Sequence, residues 1–243
     1  MRNYLGVLAE LHQTRRPRTY VEIGVWQGAG LALAGDDTLC IGIDPKPDVS
    51  ESLAQRCHLE RMTSDEFFSG PRLGELLGGQ TVDMAFVDGM HLFEFALRDF
   101  MNLEASVGPE SLIAVHDCLP RDQVSASREP FADPSFWTGD VWKLAVCLLD
   151  YRPDLAITLL DVAPSGLCLI GGLQPGDTTL RDNYATILER YVPMDFRDWV
   201  AYRTRIPGHQ AVLRGDPLVP SCVARFTGRR WSANRGVLKP LGR

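Results

Sequence analysis

Two short segments carry the side chains best suited to chemistry. Phe86-Val87-Asp88-Gly89-Met90-His91 and Ala114-Val115-His116-Asp117-Cys118-Leu119-Pro120 each run from an apolar stretch into carboxylates and imidazoles. In open α/β sheets, ligands bind outside the carboxyl ends of the strands. If the two stretches are neighbouring strands, Asp88, His91, His116 and Asp117 converge on one crevice. Asp88 then reads as a site residue, both catalytic and cofactor-binding, because a charge at a strand end has little structural reason to be there. His91 suits a general base, since an imidazole titrates near neutrality. The competing role for His91 is packing at the start of the helix that begins near Leu92.

A second constellation lies upstream. Tyr20-Val21-Glu22-Ile23-Gly24-Val25-Trp26-Gln27-Gly28 is an apolar strand running into a glycine turn. Gly24 permits a tight turn, and Gly28 is expected to let the following helix approach a ligand. Asp44 closes the next strand and can accept the hydroxyl protons of a ribose. These features suit a nucleotide-type cofactor. Glu22, two residues before Gly24, favours S-adenosylmethionine over a nicotinamide dinucleotide. A pyrophosphate disfavours a carboxylate there, whereas the methionine ammonium is served by one, through water or through ordering of the turn. Thr63-Ser64-Asp65 falls where an adenine edge would lie. Asp65 is a candidate for the amino group, and Ser64 for the adenine or for a helix N-cap.

Positioning these groups requires an alternation of strands and helices. Strands are expected at 19–24, 39–43, 58–62, 82–87, 111–115, 156–160 and 166–170. Helices are expected at 4–12 (Leu5, Leu8, Ala9 and His12 inward), 29–34, 50–56, 64–77, 92–106, 139–150, 182–191 and 197–202. This is an α/β chain: a Rossmann-like, doubly wound, mostly parallel seven-stranded sheet with a terminal antiparallel hairpin strand, followed by a C-terminal helical or irregular extension. Residues 1–175 form the cofactor-binding domain, with a leading helix over 1–18 and a lid loop over 117–138; residues 176–243 form the extension. The loop offers Arg121, Arg128, Phe131, Phe136 and Trp137 to an acceptor, and Trp142 and Lys143 follow it toward the same crevice. The stretch 225–243 reads as a basic solvated tail.

The 243 residues carry 25 Lys and Arg against 31 Asp and Glu, a net charge of −6. That balance argues against a nucleic-acid partner. No apolar run is long enough for a membrane span, and no secretory signal is read at the N-terminus. The six cysteines are scattered, without metal-ligand spacing, as expected of reduced thiols in a cytoplasmic protein.

The order of VDGMH, FEFALRDF and HDCLP, preceded by EIGVWQG and IGIDPKP, resembles bacterial class I S-adenosylmethionine-dependent methyltransferases. The resemblance covers about residues 17–172 and extends to macrocin-type sugar and antibiotic O-methyltransferases. It implies O-methylation of a small hydroxylated substrate, a sugar unit included; separately from the resemblance, a homo-oligomer is an open expectation. It further implies a divalent cation, Mg2+ or another, held by Asp88, His116 and Asp117. Two positions depart from the pattern: His116 stands where metal-dependent relatives carry an acid, and Met90 where some carry a proposed base, leaving His91 for that role. A nicotinamide-dependent oxidoreductase is the alternative enzyme reading, disfavoured by Glu22 and by the lack of a Tyr-x-x-x-Lys pair. A non-catalytic protein that retains the cofactor fold is the other.

Overall fold

Apolar runs that alternate with amphipathic segments resolve into one twisted sheet with helices on both faces. In a computed structural model of the chain, residues 3–130, 136–203 and 213–214 are described. The strands are β1 (Thr19–Ile23), β2 (Leu39–Ile43), β3 (His58–Glu60), β4 (Val82–Val87), β5 (Val107–His116), β6 (Ala156–Asp161) and β7 (Leu167–Gly171). They are ordered β3-β2-β1-β4-β5-β7-β6, and a two-residue strand, β8 (Leu213–Arg214), adds beside β6. The first five strands run parallel; β7 is antiparallel to both β5 and β6. The expected hairpin therefore forms, and its second strand is the one that docks against β5. Residues of β1, β4 and β7 are almost all buried, as strands covered on both faces must be, which is why they read as continuous apolar runs.

Register decides where the site lies. Ile23 pairs with Val87, and Val87 with Val115. The residues that follow, Gly24, Asp88 and His116, therefore stand side by side at the carboxyl ends of their strands, His116 still paired with Leu167 of β7.

The helices are α1 (Tyr4–Arg15), α2 (Glu51–Arg56), α3 (Ser64–Phe68), α4 (Arg72–Leu77), α5 (Phe93–Glu104), α6 (Trp142–Tyr151), α7 (Thr179–Asp182), α8 (Tyr184–Tyr191) and α9 (Phe196–Arg203). The inward face of α1 is Val7, Leu8, Leu11 and His12: Leu8 and His12 are as expected, while Val7 and Leu11 take the places expected of Leu5 and Ala9. The helix expected over 64–77 is two, because Pro71 lacks an amide proton and disfavours helical backbone at Gly70. Thr63, not Ser64, caps α3, in a reciprocal capping box with Glu66. The expected helix at 29–34 is a single 3-10 turn, Leu31–Leu33.

Leu180, Ile187, Tyr191 and Trp199 are buried in the same core as β4, α5 and α6. The stretch 179–203 thus contributes side chains to that core. Phe131 of the lid loop and the basic tail lie outside the described residues. Among the described residues, no helix is long and apolar enough to cross a membrane.

Candidate functional site

The carboxyl ends of β1, β2, β4 and β5 open into a cavity of about 820 Å³, a volume typical of small-molecule sites. At one end lie Ile43, Asp44, Pro45 and Thr63–Asp65; at the other, Asp88, His91, His116, Asp117 and Ser165. Trp26, Met90 and Phe136 line it while remaining 72%, 56% and 51% exposed, so large apolar groups are held at its mouth, with the Arg121 guanidinium over the Phe136 ring.

The glycine turn is built by Asp44. Its Oδ2 accepts the amide protons of Val25 and Trp26, both at 2.9 Å, and its Oδ1 that of Lys46 at 2.7 Å. A carboxylate offers roughly four lone-pair sites. Three are spent on the protein's own backbone, which narrows the expected role from both ribose hydroxyls to one. Gly24 has φ +83°, and a side chain there would strike the Asp88 carbonyl oxygen. Gly28 also has positive φ, but a Cβ there would meet Leu53 Cδ2 at 2.5 Å and Val49 Cγ1 at 2.9 Å. Gly28 therefore serves close packing against α2, and it does not line the cavity, contrary to its expected role in approaching the ligand.

Glu22 is likewise turned away from the cavity. It is buried under the turn, accepts the Tyr20 hydroxyl at 2.7 Å and lies against Gly30. Burial raises its pKa to about 8, against the opposing effect of the Tyr20 hydrogen bond. Of its two expected roles, ordering the turn is the one its position permits. Asp65 lines the cavity but is engaged by Arg98 in a two-point ion pair, 2.7 Å on each oxygen. The acid that sequence reading missed here is Asp99, on α5. It is buried, lines the cavity near Ser64, and its Oδ1 has no hydrogen-bond partner. Burial raises its pKa to about 7.

At the other end, the four predicted residues do meet. His116 Nδ1 lies 3.1 Å from Asp88 Oδ1 and 3.4 Å from Asp117 Oδ1; His91 Nε2 lies 3.4 Å from Asp88 Oδ1 and 3.2 Å from Asp117 Oδ2. Each imidazole is oriented by a remote segment. The Trp137 carbonyl lies 3.0 Å from His91 Nδ1, and a carbonyl only accepts, so Nδ1 carries the proton. Ser165 donates its hydroxyl to Asp117 and has its Oγ 3.4 Å from His116 Nε2, leaving that oxygen to accept from the ring. Both rings thus turn toward the carboxylates the nitrogen that no other group has claimed. Burial alone would lower the histidine pKa values. Hydrogen bonding to Asp88, with the charges of Asp117 and Asp88, outweighs it and lifts His91 to about 9. The charges of Asp88 and Asp117 lift His116 to about 10. Although burial works the other way, the two imidazoles hold Asp88 well below the usual carboxylate range.

Backbone strain marks the same place. Among the described residues, four that are not glycine have positive φ, and three of them line the cavity: Trp26 (46°), His91 (55°) and Asp117 (60°). Such conformations persist where surrounding structure enforces them, and they cluster at functional sites. Gly139 shows the enforcement, since a side chain there would collide with the His91 carbonyl.

Tyr4 was not legible in advance. Its ring centre lies 4.1 Å from that of His116, and α1 is anchored by the Tyr4 amide donating to the Ala163 carbonyl at 3.0 Å. Of the loop residues, Arg121, Phe136 and Trp137 line the cavity, whereas Arg128 ties the loop to Glu94 and Asp140. Trp142 and Lys143 do not face it: both are buried, and Lys143 Nζ is 2.7 Å from Asp140 Oδ2 and 2.8 Å from the Val192 carbonyl oxygen. Cys118 is buried with its thiol against the Val115 and His116 carbonyls.

A family model described as a methyltransferase domain matches residues 21–118. The search of curated proteins finds no match. Among solved structures, the chain is similar to the O-methyltransferase TomG from Streptomyces achromogenes, involved in tomaymycin synthesis and crystallised with S-adenosylmethionine. The identity is 18%, the TM-score 0.51, and 69% of this chain and 78% of that one are covered. It is also similar to an O-methyltransferase from Bacillus cereus in complex with S-adenosylhomocysteine, at 14% identity and TM-score 0.50, covering 67% of this chain and 77% of the other. The chain therefore has the Rossmann-like methyltransferase fold, with its methyltransferase-domain match spanning β1 to the end of β5.

Proposed function

We propose that this protein is an S-adenosylmethionine-dependent O-methyltransferase acting on a hydroxyl of a small metabolite or sugar unit. The observation that carries the reading is the placement of Asp88, His91, His116 and Asp117 at one end of a cavity whose other end is Asp44 and Thr63–Asp65. One cavity thus has a nucleoside-type end and an acid–base end.

The residues present fit the cofactor. Asp44 retains an acceptor for a ribose hydroxyl, Ile43 and Phe95 supply apolar walls, and Ser64 and Asp99 offer polar groups to an adenine edge. When bound, S-adenosylmethionine supplies an electrophilic sulfonium methyl group. Methyl transfer needs an aligned nucleophile and a place for its proton. His91 Nε2 is the atom for that proton, because Trp137 fixes the proton on Nδ1; with the pKa lifted to about 9, the neutral imidazole that accepts is the minor form at neutral pH and grows as pH rises toward 9. Met90, Phe136 and Trp137 line the cavity and offer apolar surface to an acceptor.

The residues also fit a cation. Donor atoms of Asp88, His116 and Asp117 lie within 4.8 Å of one another, and the Ser165 contact provides the outer support a ligating histidine usually has. Such a cation would supply Lewis-acid polarisation of the acceptor hydroxyl.

Calorimetry with S-adenosylmethionine, S-adenosylhomocysteine and NAD tests the cofactor; tight binding of NAD alone would overturn the reading. With an active acceptor found by screening hydroxylated metabolites, His91→Ala should lower kcat about 10²- to 10⁴-fold, the range for a lost general base. Asp88→Ala should also lower kcat, and both variants should retain S-adenosylhomocysteine binding. Undiminished turnover in both would remove the assigned roles.

A further inference from the structure

Charge is unevenly placed around the main cavity. Asp44, Asp65, Asp88, Asp99 and Asp117 line it, and among the described residues Arg121 is the one Arg or Lys that does. Arg121 stands at the acid–base end. Its Nη2 donates to the Pro164 carbonyl at 3.1 Å, beside Ser165, which contacts Asp117 and His116. The guanidinium carbon lies 5.3 Å from the centre of the Phe136 ring, within cation–π range. Arg98, Arg128 and Arg152 are each bound to carboxylates, whereas Arg121 forms no ion pair among the described residues. Asp122, next in sequence, turns its carboxylate to the Ser125 amide at 2.8 Å. A guanidinium has five N–H donors, and Pro164 takes one of them. An edge of the fork is left for a ligand at the cavity mouth, where Arg121 is exposed.

The wall beside this cation is apolar. Met90, Phe136 and Trp137 line it, and the Trp137 ring lies 5.3 Å from the His91 ring with 31° between the planes. Trp137 Nε1 donates to the Ser127 carbonyl at 2.6 Å, and Thr138 Oγ1 to the Ser125 carbonyl at 2.9 Å. These side chains therefore offer an acceptor their surfaces and no hydrogen bonds. The same turn fixes Arg121, whose amide donates to Ser125 Oγ at 3.2 Å. One buried serine thus holds the cation and the aromatic wall in a common frame.

We infer that the acceptor is a flat, apolar hydroxy acid: Arg121 binds its carboxylate at the cavity mouth, Phe136 and Trp137 cover its body, and its hydroxyl reaches His91. This rests on the proposed methyltransferase reading and names the acceptor class within it.

A polyhydroxylated sugar brings out of water many hydroxyls that need partners, and this wall supplies none. An anion entering a cavity lined by five aspartates is repelled unless a cation receives it. Arginine suits that task, because its planar fork matches a carboxylate at two points. One guanidinium balances one negative charge, which favours a carboxylate over a phosphate dianion.

The test is a binding measurement and needs no turnover. S-adenosylhomocysteine is titrated first by calorimetry. Hydroxybenzoate, hydroxycinnamate and hydroxynaphthoate isomers, their carboxamides, hydroxyphenyl phosphates, and glucuronate are then titrated into the saturated protein. At least one aromatic carboxylate should bind, and bind about 10- to 100-fold more tightly than its carboxamide, the range for hydrogen bonds to a charged group. Arg121→Gln should bind that carboxylate and carboxamide alike, and Arg121→Lys should recover part of the preference. Arg121 is exposed, so neither substitution threatens folding. Four results would each overturn the inference: no binding of any aromatic carboxylate, equal affinity for carboxylate and carboxamide, tighter binding of a phosphate or of glucuronate, or an unchanged preference in Arg121→Gln. Failure of the first titration removes the methyltransferase reading itself; success there followed by any of the four removes this inference alone.

Discussion

Single residues at this site are held in conformations that they would not adopt alone. Trp26, His91 and Asp117 each have left-handed backbone, at a cost on the order of 1–3 kcal/mol apiece. Gly24 shows the converse. Its φ of +83° and its contact with the Asp88 carbonyl leave no space for even one methyl group. Gly24→Ala should therefore destabilise the fold by about 2–4 kcal/mol, combining strain with overpacking, read as a lower urea midpoint at unchanged slope. A midpoint within experimental error of the unaltered chain would show that the turn is slack. Trp26 separates binding from stability. Its side chain is exposed at the cavity mouth, so Trp26→Ala should shift stability by no more than about 0.5 kcal/mol. The same substitution should weaken S-adenosylhomocysteine binding up to about tenfold, the worth of one aromatic contact.

The elements that carry these residues are tied together by a buried charged cluster behind the site. Asp140 Oδ1 accepts the Phe93 amide at 2.7 Å and so satisfies the first turn of α5, while its Oδ2 binds Lys143 and Arg128. Asp140 also donates its own amide to the His91 carbonyl at 3.1 Å. One side chain and its backbone thus join α5, α6, the lid loop and the candidate base. Both Asp140 and Lys143 have side chains only 1% exposed, so removing the carboxylate strands a buried ammonium. Asp140→Ala should cost about 3–5 kcal/mol in chemical denaturation. Asp140→Asn, which keeps an oxygen for Phe93, should cost less; equal costs would assign the whole effect to the charge.

For the whole molecule, the buried acid under the glycine turn makes stability depend on pH. Glu22 has a folded pKa of about 8 against an ordinary value of 4.5, so between these the folded state binds the proton more tightly than the unfolded chain. Its stabilising share is complete below about pH 4.5 and is lost as pH rises through about 8. Glu22→Gln keeps an oxygen for the Tyr20 hydroxyl and removes the titration. The stability difference between Glu22→Gln and the unaltered chain should move in the variant's favour from pH 5 to pH 8, then level off. A difference that stays flat across that range would place Glu22 in contact with water, contrary to its burial.

The sequence by itself determined the strands, the glycine turn and the strand ends, because these obey local rules. A short continuous apolar run, a glycine where φ must be positive, and an apolar run ending in a charge are each visible within a few residues. Parallel pairing of β1, β4 and β5 then sufficed to bring Asp88, His91, His116 and Asp117 together. Tertiary structure alone decided which way the groups face and what holds them. Glu22 and Gly28 lie in the right motif, yet one is sealed under the turn and the other packs on α2. The proton positions on His91 and His116 depend on Trp137 and Ser165, which lie 46 and 49 residues away along the chain. Tyr4 reaches the site from α1, whose own composition gives no hint of it. No local pattern encodes such contacts, because they arise where segments remote in sequence pack against one another, and that packing fixes the orientation of the site's imidazoles.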